Sequence, residues 1–89
     1  MSCYATYILE CADRSYYIGS TSNLRSRVQA HRSGKGPQHT ALRLPVRLVY
    51  HELFDTLEEA VARESQLKRW TRAKKEALIA GDLARLKRS

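Results

Sequence analysis

Tyr4-Ala5-Thr6-Tyr7-Ile8-Leu9-Glu10-Cys11, followed by Ala12-Asp13-Arg14-Ser15 and then Tyr16-Tyr17-Ile18-Gly19, is the stretch whose reading decides the fold. Tyr, Thr, Ile and Leu dominate its first and third parts, and such side chains suit a pleated, half-buried surface. The four residues between them read as a turn, so the stretch predicts a β-hairpin. Tyr7 and Tyr17 stand on its two strands. An odd-length turn would put both on one face of the sheet and an even one would separate them. Tyrosines in strands are more often core than chemistry.

Outward from the hairpin, Ser22 or Asn23 can cap a helix carrying Leu24, Val28 and His31. That helix stops before the short glycine loop Ser33-Gly34-Lys35-Gly36-Pro37. After Pro45, the segment Val46 to Leu53 reads as a third strand. Thr56 with Glu59 has the form of a capping box, and Leu57, Ala60, Val61 and Leu67 continue at helical spacing, which predicts a helix from Thr56 to about Trp70. Thr71 can cap another helix, apolar at Leu78 and Ile79 and stopped by Gly81. The tail 82–89 adds at most one loose turn. Three strands cannot bury both faces alone, so the helices must pack on the sheet. The expected class is α+β, in the order β-β-α-β-α-α.

Eighty-nine residues leave room for one core, expected over about 4–80 of a single domain spanning 1–89. Apolar residues make up 43% and charged residues 28%, a balance that excludes a disordered chain. Cys3 and Cys11 lack a second pair, so neither a disulfide framework nor a cysteine-based zinc site can be assembled. No apolar run is long enough to cross a membrane, and no opening segment has the form of a secretory signal. A reducing, cytoplasmic setting is expected.

Sixteen Lys and Arg against nine Asp and Glu give a formal charge of +7. Between Asp13 and Glu52 there is no acid, while Arg14, Arg25, Arg27, Arg32, Lys35, Arg43 and Arg47 fall in the interval. A second basic run holds Arg63, Lys68, Arg69, Arg72, Lys74 and Lys75. Such fields attract polyphosphates through counterion release, which makes nucleic acid the first candidate partner. Arg25, Arg32, Lys35, Lys68, Arg69, Arg72, Lys74 and Lys75 are the expected nucleic-acid contacts.

Some polar residues occupy positions where the helical pattern calls for apolar ones. At about 100° per residue, Arg27 and His31 share the apolar side of the first helix with Leu24 and Val28. Arg27 could bind a phosphate bidentately, and His31 could move a proton. Glu64 lies within the stripe of the later helix. It is either half of a structural salt bridge, for which Arg27 is a candidate partner, or a metal ligand. One carboxylate with waters and substrate oxygens is a common way to hold Mg²⁺ at phosphate-processing sites.

Tyr7, Tyr17-Ile18-Gly19, Ser20-Thr21-Ser22-Asn23-Leu24, Arg27, His31 and the later Glu64 together resemble the GIY-YIG nuclease family, most closely its small single-domain bacterial subgroup. The resemblance runs from about Tyr4 to Ile79 and includes the segment from Arg63 to Lys75. It implies a three-stranded antiparallel sheet flanked by helices and phosphodiester hydrolysis with a divalent ion, Mg²⁺ or Mn²⁺. The site it implies has tyrosines at Tyr7 and Tyr17, a phosphate-stabilising Arg27, a metal-binding Glu64, His31 as a further site position and Gly19 in a structural role. Two departures stand out: Ala5-Thr6-Tyr7 lacks the glycine and isoleucine of the first motif, and His39-Thr40-Ala41 stands where the subgroup shows an aromatic residue, Thr and Arg.

The activity so implied is a metal-dependent endonuclease acting on DNA ahead of RNA. Selection would be by substrate structure rather than by sequence, with any target choice supplied by a protein partner. The alternative is a basic nucleic-acid-binding module of the same fold with little or no cleavage.

Overall fold

The computed structural model describes residues 3–81, so the expected loose turn in 82–89 lies outside the described residues. Strands β1 (Tyr4–Glu10) and β2 (Tyr16–Thr21) form the hairpin, and β3 (Arg47–Phe54) completes a three-stranded antiparallel sheet in the order β2-β1-β3. Helix α1 (Leu24–Arg32) follows the hairpin, and α3 (Leu57–Lys68) and α4 (Arg72–Ala80) follow β3. These elements have the α+β class and order read from the sequence. One short helix, α2 (Gln38–Ala41), was not anticipated; it lies just beyond the glycine loop.

Helix starts follow local chemistry. The side chains of Asn23, Thr56 and Thr71 accept from the backbone N–H groups of Ser26, Glu59 and Lys74, each satisfying one donor that the first turn would otherwise leave unpaired. Gly81, at φ 76°, ends α4 in the left-handed conformation that glycine adopts without steric cost.

Successive side chains of a strand point to opposite faces, which divides the core in two. Tyr7, Leu9 and Cys11 pack with Val28 of α1 and with Val46. Ile8 and Ile18 pack on the other face against Leu67 of α3, with Trp70, Leu78 and Ile79 around them. The result is a sheet between two helical layers, with β1 at its centre and β2 and β3 as edges.

The phase of α3 corrects the sequence reading. Leu57 and Val61, expected in the buried stripe, are 47% and 44% exposed, whereas Ala60 and Leu67 are fully buried. A buried hydrogen bond from the Thr6 hydroxyl to the Ala60 carbonyl, 2.6 Å, pins the helix to the central strand. With Ala60 facing inward, Leu57 and Val61 lie about 60° and about 100° around the helix from it, towards solvent.

Candidate active site

The connection between β1 and β2 spans residues 11–15, and the register pairs Tyr7 with Gly19 and Leu9 with Tyr17. Tyr7 and Tyr17 therefore share a face, with ring centroids 6.4 Å apart. An added Cβ at Gly19 would lie 2.5 Å from Tyr7 Oη, so the phenol crosses the edge strand where the side chain is missing. Overpacking of this kind typically costs about 1–3 kcal/mol.

His31 is fully buried behind Tyr7. The Thr40 hydroxyl donates its only proton to the Pro37 carbonyl at 3.1 Å, so Thr40 Oγ1 accepts from His31 Nδ1 at 2.8 Å. The other ring nitrogen, Nε2, is then a lone-pair acceptor for the Tyr7 hydroxyl at 3.0 Å. A four-member chain, Tyr7 to His31 to Thr40 to the Pro37 carbonyl, thus fixes the imidazole tautomer. Burial, with a smaller contribution from the Arg27 charge, holds His31 below the usual imidazole range, so the ring is neutral at pH 7. Burial also pushes the Tyr7 phenol well above its usual range; Tyr17 and Glu64 add to the rise and Arg27 opposes it. The glycine loop closes against this pair: a Cβ at Gly36 would lie 2.7 Å from His31 Nδ1.

Glu64 reaches the same sheet edge from the opposite face. Thr6 and Ser20 are cross-strand partners, and Ala60 and Glu64 are one helical turn apart. The Thr6 bond to Ala60 is therefore matched by a bond from the Ser20 hydroxyl to Glu64 Oε1, 2.6 Å. The second carboxylate oxygen, Oε2, meets Lys68 Nζ at 2.7 Å. Burial alone would raise the Glu64 carboxyl, but the bonds from Lys68 and Ser20 outweigh it and keep the group below the usual carboxylate range. The candidate salt-bridge partner was Arg27; the observed one is Lys68, a turn further along α3.

Arg27 is exposed rather than inward-facing, and with Thr21, Ser22, Asn23, Ser26 and Ala30 it lines a shallow depression of about 300 Å³ at the start of α1. The five candidate residues do not line one face of the sheet. Gly19 and Ser20 are adjacent on β2 and so point to opposite faces; Tyr7 arrives over the first and Glu64 is held by the second. The edge between them is where the groups converge.

The cationic residues divide as well. Lys68 is paired with Glu64, Arg72 is paired with Glu76 at 2.9 Å and lies over the Tyr16 ring, and Lys74 Nζ stands 4.3 Å from the Trp70 ring centroid. Among the described residues, no ion pair engages Arg25, Arg27, Arg32, Lys35, Arg69 or Lys75.

Sequence reasoning missed Thr6, Ser20, Gly36 and Thr40. Thr6 and Ser20 act through partners 54 and 44 residues away, and Gly36 and Thr40 through His31 at the other end of the glycine loop; a lone Thr, Ser or Gly carries no local signal of that. It also gave no role to His39, whose ring lies 6.0 Å from that of Tyr17.

Among the described residues no group of three or more His, Cys, Asp or Glu could enclose a metal ion. A single ionised carboxylate, oriented by a serine and facing an edge strand, does fit a hard ion that keeps most of its waters. Lys68 already shows that a cation sits well against Glu64 Oε2, and its ammonium is carried on a side chain 55% exposed.

Residues 3–77 match the GIY-YIG catalytic domain. A UPF0213 protein of Bacillus pumilus is 49% identical over 73 residues, covering 82% of this chain and 74% of the relative. A UPF0213 protein of Staphylococcus aureus is 42% identical over 79 residues, covering 89% and 96%. Among solved structures, the solution NMR structure of a UPF0213 protein from Bacillus halodurans is 41% identical with a TM-score of 0.59, covering 90% of this chain and 85% of its own. That of a protein from E. faecalis is 34% identical with a TM-score of 0.61, covering 91% and 86%. With the hairpin tyrosines, the helical Arg27 and His31 and the edge carboxylate in place, the chain belongs to the GIY-YIG family of nuclease catalytic domains.

Proposed function

We propose that the protein is a metal-dependent endonuclease that hydrolyses phosphodiester bonds, acting on DNA ahead of RNA and choosing substrates by structure rather than by sequence. The observation that carries this reading is the meeting of the Tyr7–His31 pair and Glu64 at the β2 edge, over the adjacent residues Gly19 and Ser20. One side offers a proton acceptor and the other an ionised oxygen ligand.

Glu64 would hold the ion, Mg²⁺ or Mn²⁺, which when bound supplies charge neutralisation at the scissile phosphate. Tyr17, half-buried beside the Tyr7 and His31 rings, orients the attacking water. As the water oxygen bonds to phosphorus, its proton passes to Tyr7 Oη while the Tyr7 proton passes to His31 Nε2. Tyr7 is unchanged and His31 becomes the imidazolium, a relay that avoids a free phenolate. The leaving oxygen takes its proton from solvent. Arg27 offsets the charge that develops on the phosphate. Arg25, Arg32, Lys35, Arg69 and Lys75 would track the backbone on either side.

The rival reading, a binding module of the same fold that does not cut, has one observation in its favour: both oxygens of Glu64 already have partners. A cleavage assay on labelled single-stranded, duplex, flap and four-way substrates, with and without Mg²⁺ or Mn²⁺, separates the two. Glu64→Ala should abolish metal-dependent cleavage and leave affinity unchanged or slightly raised, since it removes a negative charge from beside the phosphate. Arg27→Ala should slow single-turnover cleavage at least tenfold, about 1.4 kcal/mol. If Glu64→Ala cut as fast as the parent, the activity would arise elsewhere.

A further inference from the structure

Helix α1 has two flanks. At about 100° per residue from the buried Val28, the residues Arg25, Gln29 and Arg32 fall on one side within an arc of about 60°, and Arg27 and His31 fall on the other. The surface divides the same way. Arg27 lines the depression at the start of α1, whereas Arg25, Gln29 and Arg32 line a separate groove of about 550 Å³ between α1 and β3. The floor of that groove is Leu24, Val28 and Leu48. Leu48 pairs with Leu9, and cross-strand partners share a face, so the groove lies on the α1 face of the sheet alongside its edge strand. Leu24 and Leu48 are only half-buried, which leaves apolar surface open within it.

The polar groups of the groove are uncommitted. Among the described residues no ion pair or side-chain hydrogen bond engages Arg25, Gln29 or Arg32. Arg25 and Arg32 stand about 10 Å apart along the helix axis with Gln29 between them. A volume of this size is ordinary for a small-molecule site, where about 300–1,000 Å³ is usual. An aliphatic floor suits a flat apolar face, a carboxamide offers both donor and acceptor to a polar edge, and guanidinium groups suit phosphates. An unpaired nucleotide presents all three together. In a duplex the same base is stacked on both faces and paired along its edge, so it can present none of them but the phosphates. The charge around the groove favours a nucleic acid over an acidic peptide: no acid lies in α1 or anywhere between Asp13 and Glu52, and the positive flank continues around α1 to Arg27. That is about one helix diameter, about 10 Å, so a single strand held at Arg27 reaches the groove without leaving the cationic surface.

We propose that the groove between α1 and β3 is a second binding site that takes one unpaired nucleobase of a nucleic-acid strand. The base lies on Leu24, Val28 and Leu48, its edge bonds the Gln29 carboxamide, and Arg25 and Arg32 hold the phosphates on either side. The inference rests on the nucleic-acid reading of the molecule but not on cleavage. It gives structure selection a physical origin within this chain: a substrate with an unpaired strand crossing α1 fills the groove, and a fully paired one does not.

The test is fluorescence anisotropy of the full chain, metal-free and at fixed ionic strength, with three labelled probes. They are a single-stranded DNA, a strand of the same length built throughout from abasic units, and a blunt duplex. The abasic strand keeps the phosphates and deletes the bases, so the natural strand should bind at least about fivefold tighter than it. Gln29→Ala, on an exposed helical position that alanine favours, should weaken single-strand binding at least about threefold and leave the abasic and duplex affinities unchanged. In methyl NMR spectra the single strand should shift Leu24, Val28 and Leu48, and the duplex should shift them far less. Equal affinity for the natural and abasic strands, or a Gln29→Ala variant that keeps the full preference, would overturn the groove and leave the nucleic-acid reading standing. If none of the three probes bound, both would fall. An acidic, leucine-bearing peptide that moved those methyls when the single strand did not would assign the groove to a protein partner instead.

Discussion

His31 Nε2 offers its lone pair to the Tyr7 hydroxyl, so a proton placed there reverses that bond and leaves the buried Tyr7 O–H without its acceptor. Its folded-state pKa lies below the unfolded value because burial and Arg27 oppose the charge. Above an ordinary imidazole pKa of about 6.5 neither state is protonated and the group has no effect on stability. As pH falls below that value the unfolded chain takes up the proton first, and the fold loses stability progressively towards the lower folded-state pKa. Urea denaturation should therefore show a lower midpoint at pH about 5.5 than at about 7.5. His31→Gln should be less stable at the higher pH and change less between the two. An unchanged midpoint in the parent would mean that the neutral, bonded form is not the native one. Glu64, whose folded pKa is depressed, stabilises the fold above the ordinary carboxylate pKa and loses that effect only at more acid pH, outside this window.

Thr6 does for α3 what no residue of α3 does for itself. Its hydroxyl, fully buried, bonds the Ala60 carbonyl, and the cross-strand partner Ser20 bonds Glu64 one turn later. Strand register and helix phase are thus locked together by two side chains. Arg63 adds a third tie, pairing with Glu52 of β3 at 2.9 Å while its guanidinium lies 5.1 Å from the Trp70 ring centroid. Thr6→Val keeps the shape and removes the bond, with an expected loss of about 1 kcal/mol in chemical denaturation. Because the helix then loses its anchor beneath Glu64, the metal concentration for half-maximal cleavage should rise as well, with substrate affinity unchanged. A variant that lost stability but kept the parent's metal dependence would show that Ser20 alone orients the carboxylate.

Over the whole molecule, only part of the +7 charge is available to a polyanion. Of Arg27 and the expected nucleic-acid contacts, six, Arg25, Arg27, Arg32, Lys35, Arg69 and Lys75, have neither an ion-pair partner nor a place over an aromatic ring among the described residues. Each contact to duplex DNA contributes about 0.9 to the slope of log affinity against log salt. Binding should weaken steeply with salt, with a slope no steeper than about −5 if those six are the contacts. Alanine at Arg25, Arg32 or Lys35 should lower the slope by about one contact. Lys74→Ala should change it little, because Lys74 already lies over Trp70. A flat salt dependence would remove the nucleic-acid reading of the charge.

What the sequence determined alone was everything that near neighbours in the chain decide. Hairpin, caps and helix stops follow from turn residues, from Asn23, Thr56 and Thr71, and from Gly81, because backbone hydrogen bonding and steric freedom are local. The family motif marked Tyr7, Tyr17, Arg27, His31 and Glu64 as site candidates because their residue types and spacing are written in one dimension. The tertiary structure decided what depends on two elements meeting. A one-dimensional hydrophobic stripe located the inner face of α3 only to within a quarter turn, so Leu57 and Val61 were misassigned until Thr6 set the phase. Where the Glu64 carboxylate is tied to the sheet edge and which tautomer His31 adopts are settled by the hydroxyls of Ser20 and Thr40. A hydroxyl can bond almost anything that the fold brings within 3 Å or so, and the sequence alone does not say what that will be.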